Sequence, residues 1–413
     1  MNQKQMAEII AKSGGRLYLV GGAVRDSAMH LTPKDYDYCV TGLSKEEFSR
    51  LFPNAIIKGK DFPVFDIEGN EFALARNEKK TGVGHKDFTI LTDKSITIEE
   101  DLCRRDFTIN SIAYNIISEQ IIDPFGGVDD IKNGIIRATS LAFRDDPLRV
   151  YRAARFAAKY NFKIEDDTLK LMEKMKDELS SISAERVFEE FRKSLSYSYP
   201  SNFFQVLRNC KCLSVHFSEI EKMIGVPQPL KYHPEGDVYN HTMEVLDKAA
   251  ETTDNELIRF SALVHDFGKI LTPPEILPHH YEHENNGRQP IKEFCKRLKM
   301  PKNFEKAGIS VSKEHMRAGK FNELTTKKKV DFIVRSSKSP VGLEGLEIIA
   351  NCDGNRKPKI EFSEIGKKML SEVNGKTVDV KDMPKEQIQY ALRQKRIEWL
   401  NNYLKRTTDD ISL

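Results

Sequence analysis

Residues 16–40 read RLYLVGGAVRDSAMHLTPKDYDYCV, and the changes of period within this stretch decide the N-terminal fold. Arg16–Val20 reads as a strand running into Gly21-Gly22, and Val24–Met29 as a helix. Glycines at such a junction let backbone N–H groups approach an anion, and the helix N-terminus favours negative charge. Taken alone, the pair is equally a plain tight turn. Tyr36–Val40 reads as a second strand, and Asp35-Tyr36-Asp37 sets two carboxylates at i and i+2, on one face. They repel unless a cation sits between them. Hard oxygen donors suit Mg²⁺, which also binds nucleotide phosphates. The bland alternative is a solvated pair.

Working outward, Val64–Ile67 and Glu71–Ala75 read as a hairpin turning at Glu68-Gly69-Asn70, and Glu71 could supply a third carboxylate. The polar, Gly-containing stretch from Arg76 to about Ile96 reads as a long loop. Next comes RRDFTINSIA, residues 104–113. There Arg105 could fork onto a triphosphate, Asp106 accept from a ribose hydroxyl, and Asn110 orient the sugar. A salt-bridged helix start is the other reading.

From Asp146 onward the pattern turns helical, with Asp146 as N-cap and Pro147 at the first helical position. Further helices are expected over Glu165–Ser180, Ala184–Ser194 and Pro200–Asn209. Arg149, Arg152 and Arg155 recur at i, i+3 and i+6, along one side of a helix that starts near Asp146. An Asp acceptor beside an Arg donor can mimic a Watson–Crick edge. For Arg152 and Arg155, a stripe that binds only phosphate stays open.

Val226–Pro234, VPQPLKYHP, holds three prolines and reads as a linker. Behind it come His241, the pair His265-Asp266, His283, His315 and Asp353 on helical sequence. Imidazole and carboxylate together suit Mg²⁺, Mn²⁺, Ni²⁺ or similar ions. Lys376–Arg406 is again helical and basic.

The chain has 413 residues, enough for ~2–3 domains. With 65 Lys and Arg against 62 Asp and Glu, the net charge of +3 excludes an acidic tail or a histone-like binder. It does not exclude a nucleic-acid enzyme, because opposite charges can occupy different faces. Cys39, Cys103, Cys210, Cys212, Cys295 and Cys352 form no CxxC pair and read as reduced thiols. No run approaches the ~18 apolar residues of a membrane span, and the N-terminus lacks a signal-peptide core, so a soluble cytoplasmic protein is expected.

GGAVRD, then DYD, RRDFTINSIA, DPFGGVDDIKNGIIR and DDPLRVYRAARFAAKY, in this order, resemble the class II tRNA nucleotidyltransferases. These are the CCA-adding enzymes and bacterial poly(A) polymerases of the polymerase-β-like superfamily. The resemblance implies an α+β head with a small mixed sheet, followed by an all-α neck and body. It implies Asp35 and Asp37 as the Mg²⁺ pair, with Glu71 as the third, less secure acid. Gly22, Arg25 and Arg105 match nucleotide or triphosphate contacts, and Asp106 the ribose-sensing acid. Asp123, Asp130 and Arg137 match a motif that couples head and neck. Asp145-Asp146-Pro147-Leu148-Arg149 matches the nucleotide-selecting motif, with Asp in place of its usual first Glu. The presence of Asn77–Ile96 favours full CCA addition or A-addition over CC-only activity.

The histidine region resembles the HD phosphohydrolase domain. That implies His241, His265, Asp266 and Asp353 as metal ligands, His283 and His315 as ligands of a second ion, and Lys269 as a phosphate contact. An HD domain behind such a head is the arrangement of the multifunctional CCA proteins of bacteria. The implied boundaries are 1–140 for the head, 141–226 for the neck and body, 227–355 for the HD domain and 356–413 for a helical tail. The implied chemistry is CCA addition by two-metal phosphoryl transfer. Phosphatase and 2′,3′-cyclic phosphodiesterase activities that repair tRNA ends are implied beside it. An A-adding enzyme or a poly(A) polymerase is the alternative, though the latter resembles this head without an HD domain. Intact Asp35, Asp37 and Arg105 argue against a tRNA-binding module without catalysis. The expected partners are the tRNA 3′ acceptor end, CTP and ATP, with no DNA, no membrane, and a monomer or weak homo-oligomer. Lys327–Lys329, Arg356–Lys359 and Arg393–Arg406 are candidate tracks for RNA phosphates.

Overall fold

The computed structural model describes residues 1–58, 63–80, 88–91, 93–354, 359–377 and 384–409. These fall into two units, Met1–Ile182 and Ser183–Leu413.

The first unit is built on strands β1 (Arg16–Val20), β2 (Asp37–Thr41), β3 (Ile56–Lys58), β4 (Val64–Ile67) and β5 (Asn70–Leu74). Strands β6 (Asn77–Lys80) and β7 (Phe88–Leu91) form a separate antiparallel ladder. With β8 (Ala113–Asn115) and β9 (Ile121–Ile122), the main sheet runs β3-β4-β5-β2-β1-β8-β9. Only β2 and β5 pair in parallel within it, so the sheet is mixed as expected. Alternation of side chains gives it two apolar faces. Leu17, Tyr38, Val40, Phe72 and Leu74 meet Met6, Ala7 and Ile10 of the helix Gln3–Lys12. Tyr38 and Phe72 stack with ring centroids 4.7 Å apart. Tyr18, Val20, Cys39 and Ala113 turn the other way and pack with Ile98 and Leu102 of the helix Ile98–Cys103. Asp37, two residues before Cys39, therefore belongs to the face that this helix covers.

Some local expectations shift. The β4–β5 turn holds two residues, Glu68 and Gly69, at φ of 53° and 83°, the mirror-turn geometry that suits strand twist. The polar stretch read as a long loop carries the β6–β7 ladder, and its residues 81–87 and 92 lie outside those described. The helix expected over Val24–Met29 spans Gly22–Ala28 and starts directly at the glycine turn. The arginine-bearing helix is Leu148–Tyr160, so Pro147 and not Asp146 stands at the N-cap, although the Asp146 carboxylate still accepts from Leu148 N at 3.0 Å. The expected helix Glu165–Ser180 is an α-helix, Asp166–Lys174, followed by a 3-10 segment, Lys176–Ser181. A short parallel pair, β10 (Ile135–Ile136) and β11 (Lys163–Ile164), joins the chain on either side of Leu148–Tyr160.

In the second unit all the regular elements described are helical. Phe191, Phe203, Phe204, Phe217 and Phe294 form a cluster with centroids 5.3–6.1 Å apart along its contacts. Beside it lies Arg259, only 2% exposed. Its guanidinium donates to the carbonyls of Leu195, Tyr197, Ala250 and Thr253 and to Asp254. Those carbonyls end the helices Ala184–Leu195 and Val238–Thr252, where four acceptors per helix lack a partner and the dipole is negative. All six cysteines are free. No described helix is long and apolar enough to cross a membrane.

Arg259→Met keeps an apolar stem and strips the donors. Each buried acceptor left without a donor costs ~1–3 kcal/mol. A urea titration followed by far-UV circular dichroism should show the unfolding free energy lowered by at least about 3 kcal/mol.

Candidate functional site

Asp35 lies two residues before the first residue of β2, which is Asp37. The pair thus straddles the strand start rather than sitting on the strand, and strand alternation alone does not align it. What the parallel register does align is Asp37 with Glu71 of β5. Burial, and then the charges of Glu71 and Asp35, raise the Asp37 carboxyl above its usual range against the pull of Arg105. Glu71 lies 3.6 Å from Lys58 Nζ. The donors of Asp35, Asp37 and Glu71 are all oxygen, as a hard divalent cation prefers, but the three carboxylates are not among the described groups whose ligand atoms lie within 4.8 Å of one another.

The glycine turn meets an arginine. Gly21 has φ of +67°, and a Cβ there would come within 3.0 Å of Arg105 Nη1. Gly22 opens the helix, with Arg25 Nη2 3.5 Å from where its Cβ would stand. Asp101, 1% exposed, accepts from Arg104 and Arg105 together, with salt-bridge distances of 2.6 and 3.0 Å. Burial opposes its ionisation, yet the two arginines hold its carboxyl below the usual range. Arg25 is buried, pairs with Asp26 at 2.7 Å, donates to Asn110 Oδ1 and stacks against Phe156 and Tyr160. Asn110 in turn donates to Asp106 at 2.9 Å. Asp106 also receives Arg152 at 2.6 and 2.8 Å, and Arg152 with Arg149 overcomes burial to pull it down to about 2. Arg149 donates to the carbonyls of Ala142 and Arg104 at 2.8 and 2.7 Å. Arg155 is 8% exposed with its guanidinium over the Phe156 ring. Asp123 accepts from Gly127 N and Val128 N, at the start of the helix Gly127–Asn133. Asp130 pairs with Arg137 at 3.1 Å and accepts from Thr108 at 2.7 Å.

In the second unit His241, His265, Asp266, His283, His315 and Asp353 converge. Two sets have their ligand atoms within 4.8 Å of one another: His241, His265 and Asp353, and Asp266, His283 and His315. The Asp266 carboxylate spans both. Its Oδ2 lies 3.2 Å from His265 Nε2 and 3.7 Å from His241 Nε2. Its Oδ1 lies 3.4 Å from His283 Nε2 and 3.5 Å from His315 Nε2. The helix Glu256–Val264 ends at His265, so the pair sits at a helix end and not within the helix. His265, His283 and His315 each donate Nδ1–H, at 2.7 Å, to the carbonyl three residues back, Ala262, His280 and Ser312. That fixes the tautomer and turns every Nε2 lone pair inward.

This donor set fits divalent cations. His283 Nε2 and His315 Nε2 face one another at 3.2 Å, both with lone pairs inward. Burial, helped by His315 and Lys269, keeps His283 below its usual range against the pull of Asp266. Among the described groups, His265 Nε2 and both Asp266 oxygens are buried with no hydrogen bond of good geometry. Asp266 and Asp353 overcome burial and push His265 up to about 10, the mark of a centre that attracts positive charge. Lys269 Nζ stands 2.6 Å from Asp266 Oδ2.

Sequence reasoning missed Asp101, whose only signal is its spacing of three and four residues from Arg104 and Arg105. It also missed Gly268, where a Cβ would come within 1.9 Å of the His283 carbonyl. Of the candidate RNA tracks, Arg393 is committed to Asp331 at 2.7 Å, and residues 356–358 lie outside those described.

The family described as "Poly A polymerase head domain" matches residues 17–137. "Probable RNA and SrmB- binding site of polymerase A" matches 161–224, and "HD domain" matches 238–330. The chain is 39% identical over 407 residues to the multifunctional CCA protein of Shewanella frigidimarina, covering 94% of this chain and 97% of that one. It is 45% identical over 303 residues to that of Nitrosococcus oceani, covering 72% and 74%. Among solved structures, the CCA-adding enzyme of Bacillus stearothermophilus in complex with CTP superposes with a TM-score of 0.64 at 20% identity, over 99% of this chain and 100% of that one. The Thermotoga maritima CCA-adding enzyme complexed with tRNA_CCA does so at 0.64 and 20%, over 97% and 90%.

Two outcomes follow from the geometry. Gly268→Ala must part the Asp266 turn from His283, and overpacking of this kind costs ~1–3 kcal/mol. Titration of metal-stripped protein with Co²⁺ should show the ion at His283 and His315 weakened. For Asp106, the carboxyl falls from 3.8 to about 2 on folding. Its contribution, about 2 kcal/mol, is present above the unfolded value and is lost as pH falls through the folded one. The stability deficit of Asp106→Asn, read by chemical unfolding, should be full at pH 6 and shrink toward pH 2.

Proposed function

Because the chain belongs to the multifunctional CCA proteins, tRNA nucleotidyltransferases that carry an HD domain, we propose that it completes tRNA 3′ ends as CCA from CTP and ATP. Pyrophosphate is the second product. The HD centre hydrolyses 2′,3′-cyclic and terminal phosphates, so that a damaged end is repaired before nucleotides are added. The observation that carries the first activity is the register placing Asp37 beside Glu71, on the face shared with Arg105. The head spans 1–140, the neck and body 141–226, the HD domain 227–355 and the tail 356–413.

In the head, Asp35 and Asp37 hold Mg²⁺, with Glu71 adding charge. When bound, the ions lower the pKa of the attacking hydroxyl and neutralise the triphosphate. Arg105, braced by Asp101, reaches the triphosphate across Gly21. Arg25 holds Asn110, and Asn110 and Arg152 hold Asp106 for the ribose. Asp146 and Arg149 present the acceptor and donor that read the base edge, so protein replaces a template. The carbonyls of Ala142 and Arg104 keep the Arg149 guanidinium in place.

In the HD centre, His241, His265, Asp266 and Asp353 would hold one ion, and His283 and His315 would take part in holding a second. Ni²⁺, Mn²⁺ or Mg²⁺ suits these donors. Such ions supply a water of lowered pKa for attack on phosphorus. Lys269 offers its ammonium to the phosphate.

Extension of tRNA, tRNA-C and tRNA-CC with Mg²⁺, CTP and ATP, followed by sequencing of the product ends, tests the reading. CCA ends on all three support it. Addition of only the terminal A, or A tails on generic RNA, replaces it with A-adding or poly(A) activity. The double variant Asp35→Ala, Asp37→Ala should lose extension by at least ~1,000-fold, and wild-type extension would refute the catalytic pair. His265→Ala should abolish cyclic-phosphate hydrolysis and spare extension, and loss of both would refute two separate sites. Asp146→Ala should blur the choice between CTP and ATP.

A further inference from the structure

Four histidines point Nε2 toward Asp266 or Asp353, but they are not held alike. His265, His283 and His315 use the carbonyl three residues back. His241 Nδ1 donates instead to a carboxylate, Glu235 Oε1, at 2.6 Å. Glu235 lies outside every helix, in the strap 226–237, just beyond the proline-rich stretch Val226–Pro234 read as a linker. His241 sits in the first turn of its helix, so the chain just before that helix is within reach.

The strap is tied at both ends. Asp237 caps Val238–Thr252 through Asn240 N at 2.8 Å, and its other oxygen accepts from Gly225 N at 2.8 Å. Val238 N donates to the Val226 carbonyl, and Gln228 N to that of Gly236. Between these closures the strap reaches the centre again. Gln228, 3% exposed, accepts from Lys269 Nζ at 2.6 Å. The Pro227 carbonyl accepts from His280 Nε2 at 3.0 Å. His233 Nδ1 donates to the same oxygen of Glu235 at 3.0 Å. A linker that only joined two helical regions would not need a buried amide and a nearly buried carboxylate aimed at one site.

We infer that Glu235 is a positioning residue of the metal centre, which fixes the tautomer and orientation of His241. As an anionic acceptor on Nδ1–H it keeps the Nε2 lone pair toward Asp353. His233 orients Glu235 in turn. His233, Glu235 and His241 also form a set of three with ligand atoms within 4.8 Å. An ion held there would need the Nδ1 of a histidine whose Nε2 serves the main centre, so His241 would bridge as imidazolate. The positioning role needs no such deprotonation. It rests on the proposed metal centre of the HD domain, but not on the substrate hydrolysed there.

The test is titration of metal-stripped, full-length protein with Co²⁺, read by absorption spectrum, affinity and stoichiometry, with tRNA extension as a control for folding. Glu235→Ala should weaken Co²⁺ by ~10–100-fold and alter the spectrum. Glu235→Gln, which keeps an uncharged acceptor, should fall between Glu235→Ala and wild type. His233→Ala should leave the stoichiometry unchanged. Wild-type affinity and spectrum in both Glu235 variants would overturn the proposal. So would loss of one full equivalent in both Glu235→Ala and His233→Ala, which would make them ligands of a separate ion. If the wild type hydrolyses no cyclic phosphate while Co²⁺ binding still responds to Glu235, the hydrolytic reading fails and the positioning role stands.

Discussion

A carboxylate taken out of water must be met by compensating charge or hydrogen bonds, and Asp266 imposes that demand on the whole second unit. It is 1% exposed, and its two oxygens face four imidazoles and an ammonium. The price of desolvating such an ion is several kcal/mol even after relaxation. The fold answers by bringing helix ends and helix faces from separate stretches of chain to one point. His241 and His315 come from within helices, while His265, His283 and Asp353 stand at helix ends. Close packing of this kind needs residues without side chains. Gly268 and Gly287 serve there, against the His283 carbonyl and the Ser312 side chain respectively.

The first unit meets a related demand in another way. Asp37 and Glu71 lie exposed near the starts of the paired inner strands β2 and β5, where water shares the burden of their repulsion. Its buried acids, Asp101 and Asp106, are each met by arginine. Those arginines belong to the segment 104–105 and to the helix Leu148–Tyr160, so ion pairs also fix where the groups proposed to handle the nucleotide stand. Arg25, clasped by Asp26 and Asn110 and flanked by two rings, ties the glycine-turn helix into the same arrangement.

Much of this could be read from the residues because it depends on local period. The strand Arg16–Val20, the glycine turn, the hairpin and the helix beyond Asp146 follow from alternation, turn chemistry and capping. The histidines and aspartates stood out by type and by resemblance. What escaped depends on distance in three dimensions. Nothing in VPQPLKYHPEG marks Glu235 as facing His241, because prolines indicate a break in helix and not what the break touches. Asp101 sits among Glu99 and Glu100 and looks like an ordinary helix-start acid until its burial is known. The start of β2 was misplaced by one residue because Tyr36 is a good strand former, yet strand pairing with β1 stops at Asp37.

The convergence of donors from distant stretches of chain also has a thermodynamic side. An unfolded chain scatters those donors and binds ions weakly, so ions that prefer the assembled centre act as ligands of the native state. Each tenfold excess of free ion over its dissociation constant then adds about 1.4 kcal/mol to the folded form. The durability of the second unit is thus not a fixed property of its sequence. With ions bound as proposed, it would rise with the free metal of its surroundings, and a chelator would take that increment away.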